Sequence, residues 1–132
     1  MSNLDLYEYA EEHGITVEWM DLQKNKSLSA QIGDRDYIGM DIDIVDGSAD
    51  ERSRLAHEIG HCVTGAYYDK SASRAFRARQ EYRADKWAVM YCVPKNKLSG
   101  LIKRGYNRYE IAEQFGVTEQ MIQKAIYYYK AS

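Results

Sequence analysis

The hydrophobic period of the chain changes once, at DGSAD (residues 46–50), and that change limits the folds open to it. Before it, apolar residues recur at every second position. ITVEWM (15–20) sets Ile15, Val17 and Trp19 against Thr16 and Glu18, and YIGMDIDI (37–44) sets Met40, Ile42 and Ile44 against Asp41 and Asp43. With LSAQIG (28–33) between them and the turn-like DLQKNKS and DRD as connections, these segments predict a small antiparallel sheet with one buried face. Asn3 is placed to cap a preceding helix that runs to about His13 and stops at Gly14. After DGSAD the period is about 3.6 and stays helical to the end. Strands first and helices after is the order of an α+β domain.

The helical half divides at its own punctuation. Ser48 and Glu51 have the spacing of a capping box, which predicts a helix over 49–64 closed by Gly65. A second long helix is expected over 72–92, stopping before Pro94, and a short one from Pro94 to Arg104, closed by Gly105. Two more are expected over 108–115 and 119–130. Residues 1–104 read as the main body and 105–132 as a helix-turn-helix-like subregion of the same domain.

A chain of 132 residues with net charge -2 can bury a real core, and nothing in its composition marks the whole protein as nucleic-acid binding or disordered. The charge is uneven: residues 1–94 carry 11 basic and 17 acidic side chains, and 95–132 carry 7 and 3. The start, MSNLDLYEYAEEHG, is acidic without an apolar core, and no apolar run approaches membrane-spanning length. With Cys62 and Cys92 the only cysteines, the expectation is a soluble cytoplasmic protein with reduced thiols. The twelve tyrosines fall mostly at core-facing or amphipathic positions and read as packing.

LAHEIGHCVTG (55–65) places HEIGH (57–61) in the interior of the helix that Ser48 starts. His57 and His61 are four residues apart, on one face, where both imidazoles can reach one ion. Glu58 sits beside that face, placed to polarise a metal-bound water. The competing reading is two histidines that merely hydrogen-bond in a core. A catalytic zinc needs three protein ligands and an open position, and EYRADKWA (81–88) on the next helix supplies Glu81. Asp85, one turn on, suits the second nitrogen of a ligand imidazole. Alone, the two acids would read as an exposed pair balancing Arg77, Arg79 and Arg83. Gly60, at a cost of about 1 kcal/mol against Ala in a helix interior, together with Ala84 and Ala88, is better explained by two helices in close approach.

H-E-x-x-H followed after nineteen residues by E-x-x-x-D resembles the gluzincin arrangement of thermolysin-like peptidases. LAHEIGHCVTG, then E-x-R-A-D-x-W-A, then CVP, is more closely similar to the ImmA/IrrE family of metallopeptidases, with the likeness running from about residue 5 to the end. That resemblance implies a zincin-like fold and cytosolic proteolysis of a regulatory protein, in better understood members a helix-turn-helix repressor of a mobile element or stress regulon. It implies zinc held by His57, His61 and Glu81, with Glu58 as catalytic base and Asp85 supporting a ligand histidine. Tyr67, Tyr68, Tyr82 and His13 are all open as the group that stabilises the oxyanion. Cys62 follows a ligand but points about 100° away from it, and reads as a buried thiol.

RYEIAEQFGVTEQMIQKAIYYYK (108–130) has the pattern of a helix-turn-helix, with Gly116 at the turn and Ile111, Val117 and Ile122 as core. Glu119, Gln120, Gln123 and Lys124 would face a groove. One Lys behind a leading Glu makes a poor phosphate surface, so the pair is expected to pack against the catalytic body or to engage the substrate protein. The rival reading of the whole chain is a DNA-binding regulator with a structural or vestigial metal site. Glu58 separates the two, because a structural site has no use for a base.

Overall fold

The computed structural model describes residues 2–131. Helix α1 (Leu4–Glu12) precedes three strands, β1 (Ile15–Met20), β2 (Ser27–Ile32) and β3 (Arg35–Asp41). Five helices follow: α2 (Ala49–Thr64), α3 (Arg74–Cys92), α4 (Lys95–Lys103), α5 (Arg108–Phe115) and α6 (Glu119–Ala131). The α+β order expected from the change of period is present, and the helix limits agree with the sequence reading to within two residues.

The sheet differs from the expectation. It is mixed rather than antiparallel, with order β1-β3-β2: β2 pairs antiparallel with β3, and β1 pairs parallel with it. The β2–β3 connection is a tight turn at Gly33, which has φ +66°, so those strands form a hairpin. The longer β1–β2 connection instead carries the chain past the end of β3. Asp41, buried at that end, accepts from the backbone N–H of Leu22 at 3.0 Å and that of Asp43 at 3.3 Å. These bonds hold the crossover on one side and end β3 on the other. The alternation read through Ile44 therefore stops at Asp41, and Ile42 is exposed. Strand β3 takes the centre because it is the most buried, with Ile38 and Met40 on the core face.

Helix α2 runs through the core. Leu55 and Ile59 are fully buried in one apolar cluster with Leu6, Ile38, Met40, Val89 of α3 and Val93 at its end. Ile111, Ile122 and Ala125 of the last two helices belong to the same apolar cluster. Helices α2 and α3 come close at Gly60: a Cβ there would lie 2.5 Å from the carbonyl oxygen of Ala84, so the approach expected from small residues is real. Ser48 caps α2, accepting from Glu51 N at 3.0 Å. The expected capping box is only half formed, because the Glu51 carboxylate reaches one residue further back. Fully buried, it accepts from Gly47 N, the Tyr7 hydroxyl and the Asn3 amide. Asn3 accordingly makes no side-chain cap on α1; it ties α1 to the start of α2.

Candidate metal centre

Both histidines lie one turn apart on the face of α2 that meets α3, and Glu81 reaches them from α3. His57 Nε2 and His61 Nε2 are 3.2 Å apart, with Glu81 Oε2 2.9 Å from the first and 3.2 Å from the second. Each ring is held by its other nitrogen. His57 Nδ1 meets Asp85 Oδ1 at 2.7 Å, and His61 Nδ1 meets the Ala66 carbonyl at 2.6 Å. The second contact follows from the end of α2. Gly65, with φ +66°, turns the chain so that Ala66 N donates to the His61 carbonyl while the Ala66 carbonyl faces the His61 ring. Thus both Nε2 atoms are left for one point.

The donor set fits a zinc ion. A four-coordinate zinc with bonds of about 2.0–2.1 Å keeps its ligand atoms about 3.3–3.4 Å apart, close to the edges of this triangle. Two imidazoles anchored by a carboxylate and a backbone carbonyl are the tautomer-fixing arrangement of bound histidines. Without an ion, a proton occupies the cluster: burial lowers the His57 pKa, but Asp85 and Glu81 outweigh it and push it up to about 10. Burial raises Glu81, and the two histidines override it, holding the carboxyl well below the usual carboxylate range.

Glu58 is buried beside the triangle, and its Oε2 accepts from the Ser27 hydroxyl of β2 at 2.8 Å. The ligands open on a cleft of about 700 Å³ walled by Ser27 and Leu28 of β2 and by Gln120 and Lys124 of α6. Of the four oxyanion candidates, Tyr68 reaches the site, donating to Glu81 Oε1 at 2.6 Å; that bond, with burial, pushes its pKa to about 12. Tyr67 donates instead to Asp36, Tyr82 packs edge-on against Tyr128, and His13 stacks on Tyr9. Cys62 is buried, and burial pushes its thiol up to about 11. Sequence reasoning missed Ser27, the Ala66 carbonyl and the inward turn of Lys124. No motif marks Ser27, whereas Gly65 at the helix end was a usable signal for Ala66.

The model of the IrrE N-terminal-like domain, a peptidase family, matches residues 10–127. The chain belongs to that family. No curated protein matches the chain. Among solved structures, a Mycobacterium tuberculosis transcriptional regulator is similar with a TM-score of 0.66 at 15% identity. The match covers 91% of this chain and 39% of that regulator, so the chain spans well under half of its structural neighbour. The likeness is one of fold. Among the described residues, no helix is long and apolar enough to cross a membrane.

Proposed function

We propose that this ImmA/IrrE chain is a zinc-dependent endopeptidase with a zincin-like site, acting in the cytoplasm on a regulatory protein such as a helix-turn-helix repressor. The observation that carries the reading is the convergence of His57, His61 and Glu81 on one point with the buried carboxylate of Glu58 beside it. Zinc at that point would polarise the scissile carbonyl and acidify the attacking water. Glu58 takes the water proton and passes it to the leaving amine. Ser27 occupies only Oε2 of Glu58, which orients the carboxylate and leaves Oε1 for that proton. Strand β2 is a sheet edge on the rim of the cleft, where an extended substrate can add as a further strand. A DNA-reading role is disfavoured, because Gln120 and Lys124, expected to face a groove, line the cleft instead.

Metal analysis and proteolysis of a candidate repressor, with wild type beside Glu58→Gln, test the proposal. The amide cannot accept the proton, so the variant should keep its fold and its zinc while cleavage falls by about 10²- to 10⁴-fold, the usual share of a general base. Cleavage at the wild-type rate in Glu58→Gln would place the chemistry elsewhere.

A further inference from the structure

We propose that Lys124 is a positioning residue of the metal centre, through which the C-terminal helix pair fixes one ligand ring. The inference rests on the metal-centre reading above. Asp85 divides its two carboxylate oxygens between elements: Oδ1 meets His57 Nδ1 at 2.7 Å, and Oδ2 lies 3.2 Å from Lys124 Nζ. The terminal torsion of an aspartate is broad, so a carboxylate held through one oxygen can swing away. Held through both, it keeps the His57 ring with Nδ1 on Asp85 and Nε2 toward Glu81.

The element that carries Lys124 is itself anchored. Thr118, just ahead of α6, donates its N–H to Ser53 Oγ of α2 at 3.1 Å, one turn before His57. Tyr128 packs its ring edge-on against Tyr82 of α3. Helix α6 thus packs on α3 and is tied to α2 at its start, and Lys124 is its charged contact with the site. The Lys124 side chain is half exposed and that of Asp85 is 16% exposed. The ammonium lies on the water side of the pair, so removing it costs little global stability, which separates its positioning effect from a folding effect.

The test compares wild type, Lys124→Met and Lys124→Arg by three readouts: zinc affinity against a chromophoric chelator, the visible bands of the cobalt-loaded protein, and the His57 Nδ1–H proton by NMR in the metal-free protein. In Lys124→Met the His57 proton should lose its protection from exchange. Zinc should bind about three- to tenfold more weakly, below the 10- to 100-fold expected for loss of a direct ligand partner, and the cobalt bands should shift. Lys124→Arg should restore all three, and the metal-free melting temperatures of the three proteins should agree. Zinc binding by Lys124→Met as tight as or tighter than wild type, with the His57 proton still protected, would overturn the proposal. A wild type that takes up no metal would instead fail the metal-centre reading, and the His57 proton of the metal-free proteins would still decide the positioning.

Discussion

At the scale of single residues, the most demanding position outside the metal centre is Glu51. Its carboxylate is wholly buried and is answered by three donors, Gly47 N and Asn3 Nδ2 on Oε1 and the Tyr7 hydroxyl on Oε2, of which only the hydroxyl could accept in return. Glu51→Gln keeps the shape but removes the charge these donors answer, and it must place its N–H₂ on the Tyr7 side and reverse that hydroxyl. The substitution should destabilise the protein by about 1–3 kcal/mol, the range for weakening buried hydrogen bonds to a charged group. Urea denaturation of the metal-free protein reads this, and a change below about 0.5 kcal/mol, the size of an ordinary surface substitution, would mean that Glu51 does not hold α1 onto α2. The metal ligands face the opposite constraint: they are arranged to converge, and only a proton or a cation relieves the arrangement.

At the scale of elements, the site exists because α2 and α3 pass close enough for a glutamate on one to reach two histidines on the other. Gly60 sets that distance, since a Cβ there would meet the Ala84 carbonyl at 2.5 Å, a backbone atom that cannot step aside. Gly60→Ala gains helix propensity of about 1 kcal/mol, yet forcing extra volume into a packed contact costs about 1–3 kcal/mol. The expected outcome is a folded, modestly destabilised protein whose helices are spread and whose zinc affinity falls. The fall should be disproportionate to the stability change, because Glu81 lies three residues before Ala84 on the displaced helix. Equal zinc affinity in Gly60→Ala, measured by chelator competition, would show that the helices adjust without disturbing the ligands.

At the scale of the molecule, the converging ligands link metal, protons and stability. The pKa of His57 in the metal-free protein is raised to about 10, above its ordinary value of 6.5. A group raised on folding stabilises fully below its unfolded pKa, and that contribution is lost as pH rises through the folded value. The metal-free protein should therefore lose melting temperature steadily between about pH 6.5 and 10, the window those two values define. In His57→Gln this part of the slope should vanish. Zinc must displace the same proton, so zinc uptake near pH 7.5 should release it, visible as a binding enthalpy that depends on the ionisation enthalpy of the buffer. A melting curve with the same pH slope in both proteins, or zinc uptake without proton release, would contradict this account.

Local patterns decided much of this protein. The change of period at DGSAD placed the strands and helices, because amphipathic spacing depends only on which side chains an element must bury. HEIGH within the helix that Ser48 starts put His57 and His61 on one face, and E-x-x-x-D put Glu81 and Asp85 on one face of the next helix. These are statements about i and i+4 within a single helix, which sequence specifies directly. Which strand lies beside which was not available in that way. The mixed order β1-β3-β2 arises from a crossover held by Asp41 of β3 and Leu22, residues far apart in sequence. Nor could spacing select Tyr68 among four candidates, turn Ser27 toward Glu58, or bring Lys124 to Asp85. Each of those contacts joins different elements, and its distance is set by how the elements pack. An exposed lysine on a helix has the same local signature whether its ammonium meets water, DNA or the second oxygen of Asp85, and only the docking of α6 against α3 distinguishes them.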